Sequence, residues 1–375
     1  MHRTVTPLIT AVLLLVALGL LVLMSASSQR SVDASYFVDR QLIWLSLAAV
    51  AAFVTARIDY RHYLRLVPLL TLVSLISLIL VRIPGIGKMV NGSWRWLQLG
   101  PMTIQPSEFA KPVFIILMAW YLSRNMRRMD EFKEGIVWPY LLVLLFAVPI
   151  IVEPDYGTTL LFAAIGILLM VIAGCRWLPM MAIGLVGLCA VAFLIFHNPE
   201  RMGRIMAFLD PQLHEQGKAW QLANSLRAFA GGGLWGVGFG NSFQKYHYLP
   251  EAHTDFILPI IGEELGWLAS VLVVGFYLVL FIVGMKIARS ASDDFGRLLA
   301  HGLVCMIVIQ ALINFVVVTG CVPTKGLALP FISYGGSSIL SSSIMLGILI
   351  NIAIDAERSR GKKAKRLFKD RWRGV

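Results

Sequence analysis

Residues 7–24 read PLITAVLLLVALGLLVLM, eighteen positions without a charged side chain. The run is continuous. A half-buried strand alternates polar and apolar positions, so an unbroken apolar run of this length predicts a helix crossing ~30 Å of hydrocarbon. Arg3 before it and Ser25-Ala26-Ser27 after it give it the outline of a secretory signal. It is longer than the apolar core of about 7–15 residues that such signals use, which makes it the first membrane helix instead.

Similar runs recur at 41–57, 64–81, 106–123, 136–152, 158–174, 177–196, 263–285, 299–319 and 338–354. The expected fold is all-α and polytopic, about ten transmembrane helices, and a closed β-barrel is excluded because its strands would alternate. Composition agrees. Of the 375 residues 58% are hydrophobic and 14% charged, with a mean hydropathy of +0.75, whereas a soluble domain carries about 25% charged residues. Too little polar surface remains to coat a soluble enzyme, and the chain is too apolar to be disordered. Cys175, Cys189, Cys305 and Cys321 lie far apart without C-x-x-C spacing, so they read as small buried hydrophobes rather than a zinc or disulfide framework.

The connections set the orientation. With the N-terminus in the cytoplasm, 21 of the 33 Lys and Arg residues fall in cytoplasmic segments and 11 in outer ones, with Lys111 inside the fourth helix. That bias places both termini in the cytoplasm. Nine of those cations lie in 355–375, a basic tail appended to a single transmembrane domain over 1–354. The whole net charge of +12 sits on the inner face, where anionic lipid attracts it, so the charge argues for a membrane surface and against nucleic acid. The outer face is nearly balanced and rich in carboxylates, and chemistry is expected there.

Most connections are short, but 197–262 is far longer than the ~12–15 residues usual for a structureless loop. Its aromatics and its run Gly231-Gly232-Gly233 with Gly236, Gly238 and Gly240 predict a folded outer loop with tight turns. Within it, the stretch from Trp220 to Ala230, with Arg227, reads as a short interfacial helix. Earlier in the chain, Trp94 and Trp96 suit the headgroup layer, Ser107 suits an N-cap, and Glu108 and Lys111 share a helix face at the membrane edge. That pair is either a structural ion pair or a substrate contact. Glu153 and Asp155, separated by Pro154, suit a divalent cation such as Mg or Mn, or alternatively a helix cap. In 321–338, prolines, glycines and hydroxyls in an apolar setting predict non-helical backbone at membrane depth, tolerated only where protein buries it or it lines a cavity. Lys325 is the cation there. Asp255, among apolar neighbours at the end of the long loop, is a candidate base or an interfacial cap.

Taken together, the tryptophan-rich segment leading into Gln105-Pro106-Ser107-Glu108, the stretch Leu249 to Gly266 and the run Pro323 to Ser338 resemble the SEDS family of bacterial shape, elongation, division and sporulation proteins. The resemblance extends from the first span to Ile354. Pro250-Glu251-Ala252-His253-Thr254-Asp255 and Pro323-Thr324-Lys325-Gly326 resemble the division branch more than the elongation branch, whose members typically carry arginine where Ala252 stands. A sporulation paralogue would look similar. The resemblance implies ten membrane helices and a peptidoglycan glycosyltransferase that polymerises lipid II outside the bacterial cytoplasmic membrane. It also implies a class B penicillin-binding transpeptidase and other division proteins as partners. Asp255 matches the family's essential aspartate, and Glu108 and Lys111 match its polar pair.

Joining two lipid II molecules displaces a diphosphate from an α-linked sugar and leaves a β-linked product. One in-line displacement suffices, with Asp255 as the expected general base. The departing diphosphate requires positive charge, for which Lys325, Arg95, Lys111, Arg227 and Lys245 are the outer-side candidates, or a divalent ion, with Ser333 as a further substrate contact. Two other classes fit the composition: a lipid flippase, which would spread ionisable groups through the membrane depth, and a non-catalytic scaffold for a transpeptidase, which would not need Asp255.

Overall fold

The structure is a computed structural model, which describes residues 2–27, 34–90, 93–100, 102–210, 219–246, 253–323 and 326–373. The chain runs α1 (His2–Ser27), α2 (Ala34–Arg57), α3 (Tyr63–Leu80), then strands β1 (Gly87–Val90), β2 (Ser93–Leu99) and β3 (Met102–Ile104). There follow α4 (Pro106–Arg124), α5 (Trp138–Val152), α6 (Tyr156–Ala173), α7 (Trp177–Phe196), α8 (Pro199–Leu209) and α9 (Trp220–Gly232). The last three helices are α10 (Ile257–Ser290), α11 (Asp294–Val318) and α12 (Gly336–Arg373).

Among the described residues nine helices are long and apolar enough to cross a membrane. The fourth expected span is covered by α4, 19 residues long, whose Glu108 and Lys111 lower its hydropathy and whose side chains are mostly buried by neighbouring helices. The all-α polytopic fold is therefore present, with a helix over each of the ten expected stretches. At 1.5 Å per residue, α8 and α9 are too short to cross and belong to the long loop. The expected eighth span, 263–285, starts six residues earlier, at Ile257. Beyond the expected 354, α12 continues as one helix to Arg373.

Helix α11 is the centre of the bundle. Most of its side chains are buried, from Phe295 to Val318, as expected of a helix apolar on every side and packed on every side. Small residues let its neighbours approach: a Cβ at Gly284 of α10 would overlap Val304, and one at Gly302 would overlap Ile115 of α4. By contrast, α7 leaves Leu185, Val186, Phe193 and Phe196 exposed, a surface suited to lipid rather than water.

The two ends of the bundle carry different sets of segments. At one end, Arg61 pairs with Asp293 and Asp355, each at 2.9 Å, and Thr4 donates to Glu357 at 3.1 Å. These bonds join segments expected inside. At the other end lie the sheet, the 153–155 turn, the described parts of the long loop and 326–335.

A three-stranded antiparallel sheet, ordered β1-β2-β3, stands where the sequence suggested only an aromatic segment. Lys88 faces Trp96, and Leu97 faces Ile104. Its signal was the alternation in Trp94-Arg95-Trp96, which reads equally as a headgroup belt. Ser107 is not the N-cap of α4; Gln105 holds that position, with Pro106 at the first helical residue, where its missing N–H costs nothing.

Candidate active site

Helix α10 breaks at Gly266, whose φ of 83° and ψ of 176° suit glycine alone. The carbonyls freed beside the break are taken by the glycine-rich loop: Val237 N donates to Glu263 O at 2.9 Å and Gly238 N to Glu264 O at 3.0 Å. The two carboxylates finish the attachment. Glu263 accepts from the Ser242 hydroxyl and from Phe243 N at 2.9 Å, and Glu264 accepts from Lys245 Nζ at 3.0 Å and from Ser25 Oγ. The short helix ahead of the break, 257–265, is thereby fixed, and Asp255 precedes it by two residues.

Non-helical backbone from 326 to 335 faces this helix. Its polar groups are met by side chains from α10 and α11, as low-dielectric surroundings demand. Tyr277 OH donates to Pro330 O, Gln310 Nε2 to Ala328 O at 2.7 Å, and Asn314 Nδ2 to Leu327 O at 2.8 Å. The same Asn314 amide donates to Asp255 O at 2.8 Å, and Tyr334 N donates to His253 O at 2.9 Å. The half-buried Asp255 carboxylate lies so close to Gly326 that a Cβ there would overlap its Oδ2. Two segments more than 70 positions apart in the chain thus form one wall.

Glu108 and Lys111 join the same wall from α4. Lys111 Nζ donates to Glu108 Oε1 at 2.6 Å and to Gln310 Oε1 at 2.8 Å, with the lysine side chain fully buried. Gln310 in turn holds Ala328, so the pair reaches the 326–335 backbone through one amide. Ser341 of α12 donates to Glu108 O at 2.7 Å. The ion pair is a buried brace of the site. Gln310 and Asn314, which carry the linkage, were missed in the sequence; two amides at i and i+4 in an otherwise apolar span were the available signal.

Other candidates are placed differently. Ser333 braces the backbone, donating to Thr254 O at 2.6 Å and accepting from Leu329 N at 2.8 Å. Lys245 is buried, neutralised by Glu264 and donating also to Ser25 Oγ and Gly240 O. Arg95 donates to Glu153 O at 3.0 Å and Pro154 O at 2.7 Å, so it fastens the sheet to the α5–α6 turn. Arg227 sits on the exposed side of α9 and donates to Asn224. Lys325 lies outside the described residues.

The pair Glu153 and Asp155 does not fit a divalent ion, which takes ionised oxygens converging on one point. Asp155 caps α6, accepting from Thr158 N at 3.2 Å and Thr158 Oγ1 at 2.9 Å. Glu153 is fully buried, and both its carboxyl oxygens lack a hydrogen-bond partner among the described residues. Burial, and then the neighbouring Asp155, push its pKa up to about 8, which keeps it protonated at neutral pH. No group of three or more His, Cys, Asp or Glu that could hold a metal occurs among the described residues.

Fold and site define a polytopic helical membrane protein with Asp255 and the buried Glu108–Lys111 pair at one end of the bundle, beside non-helical backbone held by side-chain amides. Residues 6–358 match the FtsW, RodA and SpoVE family of cell cycle proteins. The chain belongs to that family. It is 42% identical over 365 residues to a probable peptidoglycan glycosyltransferase FtsW of Trichlorobacter lovleyi, covering 96% of each chain. It is 38% identical over 351 residues to the stage V sporulation protein E of Bacillus subtilis, covering 92% of this chain and 96% of that one. Among solved structures it is similar to a chain of a peptidoglycan synthase complex that coordinates polymerization and crosslinking, with a TM-score of 0.77 at 26% identity over 93% of this chain and 97% of that chain. Rod shape determining protein RodA of Thermus thermophilus gives 0.70 at 27% identity, over 93% and 96%.

Proposed function

We propose that this chain is a peptidoglycan glycosyltransferase that polymerises lipid II at the outer face of the bacterial cytoplasmic membrane, with Asp255 as general base. The observation that carries the mechanism is the placement of the Asp255 carboxylate against Gly326, on a wall built from α10, α11 and the 326–335 segment. The 4-hydroxyl of the acceptor GlcNAc attacks C1 of the donor MurNAc, and the bond from C1 to the diphosphate oxygen breaks. Asp255 takes the hydroxyl proton, and the configuration inverts in one step. Base assistance of this kind contributes ~10²–10⁴-fold. The negative charge that leaves with the diphosphate is met by protein cations, for which Lys325 and the exposed Arg227 remain in play. Lys245, Arg95 and Lys111 serve the fold through the partners described above.

A class B penicillin-binding transpeptidase is the partner this reading implies, in line with the polymerization and crosslinking coupled in the similar synthase complex. The role in division, at the septum, is supported by the FtsW names among its relatives. A flippase would spread ionisable groups through the bundle. Here the buried Asp, Glu and Lys side chains among the described residues, Glu108, Lys111, Glu153, Asp155, Lys245, Glu263 and Glu264, belong to one end, and His301 lies toward the other.

Reconstitution of the purified protein with lipid II, with and without a cognate transpeptidase, tests the reading. Glycan polymer formed in the presence of moenomycin, which targets a different glycosyltransferase family, is the expected result; lipid II that stays monomeric in both arms would overturn it. Sidedness is tested separately in a cysteine-free background. An impermeant maleimide is expected to label Asn241→Cys and not Arg128→Cys in intact cells, and the reverse pattern inverts the topology.

A further inference from the structure

The break in α10 falls at the level where the bilayer begins. Residues 267–285 of that helix are uncharged, nineteen positions or roughly 28 Å, and Lys286 follows them. That length matches ~30 Å of hydrocarbon, so Gly266 and Trp267 stand at its edge on the Asp255 side. A helix broken there would leave backbone carbonyls and N–H groups without water to satisfy them. The glycine-rich loop closes both sides of the break. Trp267 N donates to Gly233 O at 2.9 Å, which complements the bonds from Val237 N and Gly238 N to the carbonyls of Glu263 and Glu264. The contact is backbone against backbone: a Cβ at Gly236 would overlap Glu264 O.

With its backbone engaged, the loop presents side chains, and these are apolar. Residues 231–244 carry no charge. Leu234, Trp235, Val237 and Phe239 are exposed, Trp235 by 82%, while Ser242 and Gln244 are buried. Asn241 is the one exposed polar side chain of that stretch. Water is a poor solvent for such a surface, and without a charge it has nothing to recognise an anionic headgroup or an oppositely charged protein. The bonds from Trp267 N to Gly233 O and from Leu268 N to Leu234 O set it beside the face on which α10 exposes Trp267, Leu268, Val271 and Leu272 to hydrocarbon. The two apolar surfaces are continuous across the edge of the bilayer.

We propose that the glycine-rich stretch 233–240 is a lipid-binding element seated in the bilayer, with Leu234, Trp235, Val237 and Phe239 inserted into the leaflet on the Asp255 side. Elements of this kind bury their apolar groups about 5–10 Å into the boundary between headgroups and acyl chains. What the stretch recognises is that apolar boundary and not a headgroup charge. Because the loop grips both halves of α10, its seat also sets the height of the short helix 257–265, and of Asp255, relative to the membrane. The inference rests on the membrane spans and stands independently of the glycosyltransferase activity.

The test uses the full-length protein, its native cysteines replaced, in phosphatidylcholine nanodiscs, which carry no net charge. A nitrobenzoxadiazole probe is attached at Trp235→Cys, Phe239→Cys or Asn241→Cys. All three side chains are exposed, so each variant is expected to fold, and its melting temperature checks that it does. Quenching by phosphatidylcholine carrying a doxyl group near the top of its acyl chain is compared with quenching by iodide in the water. The probes at 235 and 239 are expected to lose emission to the doxyl lipid and to be shielded from iodide. The probe at 241 is expected to be open to iodide and serves as the water-facing control. Iodide quenching of all three alike, with none by the doxyl lipid, overturns the proposal. So does emission at 235 and 239 that ignores the doxyl lipid and shifts only when a class B transpeptidase is added, which would make this surface a protein interface. Lipid II turnover enters none of these readouts: a protein that forms no polymer yet shows the doxyl pattern overturns the activity and leaves the lipid seat standing.

Discussion

Asn314 donates from one amide nitrogen to the backbone carbonyl of Asp255 and to that of Leu327, at 2.8 Å each. A single side chain of α11 therefore sets the spacing between the segment that carries the Asp255 carboxylate and the segment that faces it. Asn314→Leu preserves volume but strands two buried carbonyls, at about 1–3 kcal/mol each. Both thermal stability and turnover per mole of folded protein are expected to fall. A leucine variant with parental turnover would show that Asp255 is positioned without this bond.

Asp255→Asn keeps size and removes the proton acceptor. Lipid II turnover per mole of folded protein is expected to drop by ~10²-fold or more, with insertion and yield maintained. If Asp255 only caps the helix that follows, amide and carboxylate are interchangeable, and near-parental turnover by the variant removes the base from the mechanism.

The Glu108–Lys111 pair is buried deeply enough that its halves cannot be removed singly without cost. Lys111→Met leaves a carboxylate in a dry site and is expected to cost ~3–5 kcal/mol. Glu108→Gln together with Lys111→Met leaves no stranded charge, and its melting temperature in detergent should exceed that of Lys111→Met. A double variant no more stable than the single one would mean the carboxylate has another partner.

Protonated Glu153 predicts a pH dependence of the opposite sign to the usual paired carboxylate. The folded state holds the proton up to about pH 8, while the unfolded chain releases it near 4.5. This contribution to stability is therefore present in full at low pH, is lost progressively as pH rises through that window, and levels off above it. Glu153→Gln, which is neutral throughout, should gain on the parent as pH rises across the window, by on the order of a few kcal/mol at most. Melting curves at several pH values measure the gap; a gap that stays constant with pH would mean that Glu153 is ionised in the folded protein.

Continuous apolar runs made the ten spans legible, because a helix in hydrocarbon must satisfy its own backbone and shows it as length. Within the site, Asp255 and the Glu108–Lys111 pair stood out as charges at the membrane edge. Lys245 and Ser333 stood out too, yet the structure turns both inward, to Glu264 and to the backbone of Thr254. Nothing in the residues around Lys245 distinguishes a ligand from a carboxylate 19 positions on. Gln310 and Asn314 look like minor polar interruptions of a buried helix until the segment they hold is seen.

Helix α12 runs unbroken for 38 residues, roughly 57 Å, from Gly336 through Ser341, which grips α4, to Asp355 and the turns beyond. With no proline and no break in that length, the two ends of the bundle share one continuous element. An axial shift at the Asp355 end is therefore coupled, through Ser341, to the Glu108 backbone and to the turn that begins at Gly336.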